Sequence, residues 1–398
     1  MGADRKYDFD TVTDRRSTYA SKWEIGENEL PMWIADMDFK VAPEIIERLQ
    51  ERLDNGIFGY TEVPDAWYEA YQYWWRERHG MEIAKESLIF CTGVVPAISS
   101  AVRKLTTPAE NVLIQTPVYN IFFNSIVNSG RRVLQSPLIR DEETGEYGNN
   151  WGDLEEKLAD PQTSLMILCN PHNPVGKIWD KETLARIGEL CRKHGVTVIS
   201  DEIHCDITDP GKKYVPFASA SETCAQISVT CIAPTKCFNM AGLQTAAVMV
   251  PEPFLRHKMW RTLNTDEVAE PNAFAVDAAI AAFTKGADWL DEMRAYTAGN
   301  KETVRRTIEK ELPMLKVTPS EATYLLWIDC SAVLGTDMPD ASCLAAFLRR
   351  ETGLILSAGG QYGRGGEAFL RMNCACPESI LRDGLGRFVR GIRRCMEQ

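Results

Sequence analysis

Residues 229–250 read VTCIAPTKCFNMAGLQTAAVMV, and they set one lysine, Lys236, among apolar and small side chains. Before it runs an apolar β-type stretch, Val229–Ala233; after Gly242 comes a second, Ala246–Val250. Lysine ordinarily lays its stem on apolar groups and keeps its ammonium in water. Here both flanks point to an interior, so the lysine is delivered to a definite place by the strands around it. Strands that are apolar on both faces, with no clean polar alternation, belong to a buried, mainly parallel sheet.

Further runs of the same kind lie upstream, bounded by Gly, Pro, Asn or Asp: Leu88–Cys91, Val112–Gln115, Leu165–Cys169 and Val196–Ser200. Between them the spacing predicts helices, for example over Lys181–His194, with apolar residues three or four apart and Gly195 as the stop. Alternating β and α elements predict a wound α/β fold. Near residue 290 the pattern changes to a long helix over Asp291–Glu311, the run ATYLLWIDC, a helix over Ala341–Arg350, the short runs LILSAG and FLRMNCA, and a last helix near 378–396. The expected organisation is an N-terminal segment, 1–45, packing with a smaller α+β domain, 291–398, beside a large ligand-binding domain, 46–290.

The 398 residues are 44% apolar and 25% charged, with a net charge of -12. That length and composition allow a large core and more than one domain. The acidic balance argues against nucleic acid as a partner, since phosphate contacts need clustered basic groups. The start, MGADRKYDFD, lacks the apolar core of a signal peptide, and no apolar run is long enough for a bilayer span. The 12 cysteines are scattered without metal-type spacing. They read as reduced thiols in a cytoplasmic protein with no metal site.

In an open α/β sheet, ligands bind beyond the carboxyl ends of the strands. The residues after each run are TGVVPA with Gly93, Val94 and Val95, TPVYN with Tyr119, NPHNPVG with Asn173, DEIHCD with Asp201 and His204, and APTK with Thr235 and Lys236. Singly, each has an ordinary reading: a strand-to-helix turn, a buried aromatic, an Asn-Pro turn, a helix cap. Together they supply an anion cradle, an aromatic face, an amide, a carboxylate and a lysine. This set suits an aldehyde cofactor with a phosphate and a basic ring nitrogen, namely pyridoxal 5'-phosphate.

NPHNPVG, SDEIHCD and APTKCFNMAGLQ resemble the motifs of fold-type I pyridoxal-phosphate enzymes, the aspartate aminotransferase superfamily. LPMWIADMDF, FGYT and the Gln after GL resemble its MalY/PatB-like cystathionine β-lyase branch more closely. The resemblance covers about residues 30–376. It implies that Lys236 is the Schiff-base lysine and moves the Cα proton, and that Asp201 keeps the ring nitrogen protonated. Asn173 would bind the ring hydroxyl and Tyr119 would stack on the ring. Gly93, Val94, Val95 and Thr235 would hold the phosphate, and Arg371 would grip the substrate carboxylate, with Ala35 and Asp36 at the substrate mouth. Tyr60 would reach the phosphate of a neighbouring subunit, which implies a homodimer with shared sites. Three departures separate this chain from many aminotransferases: His204 replaces a tyrosine, Gln244 replaces a phosphate-binding arginine, and Ala233 lacks a hydroxyl.

The implied activity is α,β-elimination from cystathionine or another S-substituted L-cysteine, giving pyruvate, ammonia and a thiol. Aminotransferase action is the alternative on the same scaffold. A reading of another class is a cofactor-bound regulator of a transcription factor.

Overall fold

A computed structural model describes residues 5–397; residues 1–4 of the expected N-terminal segment lie outside the described part. The centre is a seven-stranded sheet built from β1 (Leu88–Cys91), β2 (Asn111–Ile114), β3 (Arg132–Gln135), β4 (Thr163–Cys169), β5 (Thr197–Asp201), β6 (Ser228–Ile232) and β7 (Ala246–Met249). The spatial order is β1-β7-β6-β5-β4-β2-β3. Only β7 runs against the rest, pairing antiparallel with both β1 and β6. The link 233–245 carries just a short 3-10 turn, Ala241–Leu243, and no crossover helix. A parallel return is usually made by a crossover helix, which this link lacks, and β7 runs straight back down beside β6.

Every expected strand is present to within a residue or two. The edge strand β3 carried no such signal, because its residues are part-exposed and mixed in polarity. Strand residues alternate between two apolar layers. Leu88, Phe90, Ala247 and Met249 face one, and Ile89, Cys91, Ala246 and Val248 face the other. Farther along the sheet, Leu113, Met166, Leu168 and Val198 turn to a third cluster while Val112, Ile114, Leu165 and Ile167 stay with the second. The runs lack polar alternation because both faces are covered.

Helix α1 (Val94–Leu105) buries Val94, Ala97, Ile98, Ala101 and Val102, one face of a 3.6-residue repeat. Helix α2 (Lys181–Lys193) starts where Asp180 accepts the backbone N–H of Thr183, and it buries Leu184, Ile187 and Cys191. The long helix expected from Asp291 begins earlier, as α3 (Ala287–Glu311). Trp289, Leu290 and Met293 join the large cluster around the sheet, whereas Val304 and Ile308 join a separate C-terminal cluster. That cluster is built with α4 (Ala341–Thr352), α5 (Glu378–Met396) and an antiparallel sheet of Lys316–Val317, Leu325–Asp329, Phe369–Asn373 and Ser357–Ala358. Leu30 and Met32 from the N-terminal segment pack into the same cluster, and Leu30–Pro31 pairs with Leu354–Ile355. Among the described residues no helix is long and apolar enough to cross a membrane.

Candidate active site

The carboxyl ends of β1, β4, β5 and β6 open into a cavity of about 470 Å3. Its wall includes Gly93, Val94, Val95, Tyr119, Asn173, Asp201, His204, Thr235, Lys236 and Arg371. Residues from six separate stretches thus meet at one sheet edge. Ala35 lines the same cavity with Trp33 and Ile34. Asp36 does not: its carboxylate turns to Arg15 at 2.8 Å and borders a neighbouring cleft. Tyr60 also stands apart, fully exposed at 103% in a segment without helix or strand. Gln244 lines the cavity from the left-handed region, φ 52°, at the end of its 3-10 turn.

Each site residue has a structural cause. Asp201 is the last residue of β5, buried by β4 and β6 on either side. Burial pushes its carboxyl up to about 7, against the pull of the Ile203 N–H at 3.1 Å and the charge of Lys236. Lys236 follows β6 on a turn in which Phe238 N–H donates to the Pro234 carbonyl. Burial pushes the lysine down; Asp36 opposes this, Arg371 reinforces it and Asp201 opposes it. Burial, with Lys236 and Arg371 nearby, pushes His204 down to about 3, so the imidazole is neutral at physiological pH. Burial raises the Tyr119 hydroxyl to about 12, keeping it protonated.

Arg371 lies in Phe369–Asn373 and is only 5% exposed. It donates to Asn173 Oδ1 at 3.1 Å and to the Trp33 carbonyl at 2.9 Å, and its guanidinium lies 4.9 Å from the Tyr362 ring centre. Its Nε has no protein partner, and neither does His204 Nδ1. Buried polar atoms are normally paired, and both of these belong to residues of the cavity wall, so they are open to a ligand there. Gly93 precedes α1, and a Cβ there would sit 3.2 Å from Pro96 Cδ, so the turn favours a bare backbone at the helix N-terminus. Those N–H groups, with Thr235 across the cavity, fit a phosphate.

Several contributors carry no motif of their own. Tyr362 underlies Arg371, Tyr324 donates to the Ala35 carbonyl at 3.1 Å, and Asn373 donates to the carbonyls of Ile34 and Asp36, both at 2.7 Å. The Tyr324 and Asn373 bonds join residues hundreds of positions apart. The one signal available beforehand was the aromatic YLLW run preceding the arginine strand.

Residues 27–388 match the family model described as aminotransferase class I and II. The chain belongs to that family. Within the aminotransferase class I and II family it is 44% identical over 385 residues to cystathionine beta-lyase PatB of Bacillus subtilis, covering 95% of this chain and 98% of the relative. It is 31% identical to protein MalY of Escherichia coli, over 97% of this chain and 99% of that one. Among solved structures, the PLP-bound C-S lyase from Staphylococcus hominis superposes with a TM-score of 0.91 at 33% identity, over 97% of this chain and 99% of the other. The wound sheet with a smaller α+β unit is thus the architecture of pyridoxal-phosphate enzymes of this family.

Proposed function

We propose that this chain is a pyridoxal 5'-phosphate-dependent carbon–sulfur β-lyase acting on cystathionine or a related S-substituted L-cysteine. The observation that carries the reading is the convergence of Lys236, Asp201, Asn173 and Arg371 on one cavity, in a chain 44% identical to a cystathionine beta-lyase. The unpartnered His204 Nδ1 and Arg371 Nε and the bare Gly93 turn fit the cofactor and its amino-acid substrate.

The cofactor, when bound, supplies an aldehyde carbon for the substrate amine and a ring that takes up charge from Cα. The chain's residues do the rest. Arg371 is held by Asn173 and Trp33 with donors to spare, so its planar fork meets the substrate carboxylate without reorganising. Lys236, depressed by burial, is available as a neutral amine to carry the cofactor and then to take the Cα proton. Asp201 would hold the ring nitrogen, as a carboxylate once a cation is opposite, because a nearby positive charge lowers its pKa. Tyr119 would cover the ring face, and neutral His204 would offer Nδ1 as a hydrogen-bonding group beside it. Departure of the thiolate from Cβ, which takes up a proton as the free thiol, followed by hydrolysis of the remaining three-carbon fragment with one water, gives pyruvate and ammonia.

Substrate chemistry supports the lyase over a dicarboxylate aminotransferase. Among the described residues lining the cavity, the cations are Lys236 and Arg371. Arg371 is assigned to the α-carboxylate, which leaves no second guanidinium from this chain for a side-chain carboxylate. A thioether whose side chain has no net charge, as in the zwitterionic far end of cystathionine, suits that wall. The exposed Tyr60 fits a homodimer in which it reaches the other subunit's phosphate, and a cytoplasmic location fits the buried thiols.

The deciding experiment incubates the cofactor-loaded protein with cystathionine, and separately with alanine plus 2-oxoglutarate. Pyruvate with ammonia and free thiol is expected from the first; glutamate from the second with no thiol from the first would replace the lyase by the aminotransferase. Lys236→Ala should lower turnover by about 10²–10⁴-fold or more and abolish the absorbance of the lysine-bound cofactor. Retention of both would remove Lys236 from its role.

A further inference from the structure

The Ala35 carbonyl is where the N-terminal strap meets the lysine. Lys236 Nζ donates to it at 2.6 Å, and the Tyr324 hydroxyl donates to the same oxygen at 3.1 Å. A carbonyl oxygen has two lone pairs, and both are engaged.

Neither the acceptor nor the second donor is free to drift. Asn239, three residues beyond the lysine and left-handed at φ 54°, accepts the Met37 N–H and donates to the carbonyls of Met37 and Phe39. Asn373, two residues beyond Arg371, donates to the carbonyls of Ile34 and Asp36. Residues 34–39 are therefore latched from both sides of the cavity. Tyr324 is fully buried, and its ring meets His204 edge-on at 6.3 Å. Its backbone is fixed by the left-handed Thr323, whose N–H donates to the Ile207 carbonyl at 2.6 Å, and by the Cys374 N–H at 2.8 Å.

A carbonyl can only accept. Alone with Lys236 it would favour the ammonium form, since hydrogen bonding to the charged form stabilises that form. A second donor on the same oxygen draws on the same electron density and weakens that preference. We propose that Tyr324 is a positioning residue for Lys236: by sharing the Ala35 carbonyl it holds the ε-amine against the strap and keeps it in the neutral, proton-accepting form. The inference rests on the reading of Lys236 as the cofactor lysine. The other charged and titratable groups that act on the amine or share its cavity are Asp36 on the strap, turned to Arg15, Asp201 at the end of β5, Arg371, His204 and Tyr119. All of them are untouched by Tyr324→Phe, which removes one hydroxyl and keeps the ring.

The test uses cofactor-free protein and follows capture of pyridoxal 5'-phosphate by absorbance across a pH series. In Tyr324→Phe the midpoint of the capture rate should move up by about half to one pH unit, slowing capture ~3–10-fold on the acid side and leaving the alkaline plateau unchanged. A midpoint that stays or falls, or equal slowing at every pH, overturns the proposal. Should the Phe variant fail to give native near-ultraviolet circular dichroism, Tyr324→Met is measured against the same outcomes. Lys236→Ala separates the two readings. Capture by that variant as fast as by the parent removes the lysine assignment itself, whereas lysine-dependent capture with an unmoved Tyr324→Phe midpoint removes only Tyr324.

Discussion

Asp201 and Asp206 sit five residues apart on one strand-end loop, each no more than 5% exposed, yet their carboxyls are driven in opposite directions. Asp206 accepts Trp74 Nε1 at 2.9 Å and His79 Nε2 at 3.0 Å, with the thiols of Cys205 and Cys237 both at 3.7 Å. Burial pushes Asp206 up, but the His79 and Trp74 bonds and the charge of Arg78 bring it below the usual carboxylate range. Asp201 faces the cavity with the Ile203 N–H as its hydrogen bond, and burial dominates. Equal burial therefore has opposite meanings. The carboxylate whose partners come from the protein is a structural hub. The one with few protein partners is the carboxylate that the proposed function pairs with a ligand cation. The hub also backs the site, because Cys205 and Cys237 are the chain neighbours of His204 and Lys236.

The sharpest break in this comparison is Asp201→Asn. Turnover should fall by about 10²–10³-fold, the scale of losing one preorganised electrostatic partner, while the melting temperature of the cofactor-free protein holds or rises. A variant with parental turnover would strip Asp201 of its ligand-facing role. Asp206→Asn should do the reverse. Losing the charge opposite His79 and one of the two acceptor oxygens should cost about 3 kcal/mol in urea unfolding, and a stability matching the parent's would show that the hub is not one.

A pH series sharpens the contrast further. In the cofactor-free protein, native Asp201 keeps its proton up to about 7, whereas an unfolded aspartate releases it near about 4. The native state binds more protons across that window, so Asp201 lowers stability as pH rises through it. Asp206 has the opposite sign: its contribution is present above the unfolded value and is lost as pH falls through its depressed native one. Melting curves of Asp201→Asn should be flatter than the parent's between about pH 4 and 7, and an identical slope would contradict the assignment. The smallest effect is expected at the strap. Asn239→Ala removes bonds to Met37 and Phe39 and should cost about 1–3 kcal/mol, with KM rising more than kcat falls.

Much of the site was legible because it follows local rules. Apolar runs become strands, turns after them carry polar groups, and parallel strands bring those turns to one edge. Lys236, Asp201, Asn173 and Gly93 each sit a few residues past a run that any periodicity reading finds. Arg371 was different: without the resemblance it is an unremarkable arginine, and only the pairing of Leu325–Asp329 with Phe369–Asn373 brings it under the cavity. The edge strand β3 was silent because partial exposure removes the apolar signature.

By itself, then, the sequence determined the wound sheet, the edge at which a cofactor is held, and the cofactor's chemical type, since these depend on short-range patterns and residue chemistry. Tertiary structure alone decided which buried carboxylate is hub and which is site, that Asp36 faces Arg15 rather than the cavity, and that Ala35 and Tyr324 meet Lys236. Those outcomes are hydrogen bonds between residues from 21 to 289 positions apart, and no local pattern specifies what a folded chain brings to hydrogen-bonding distance.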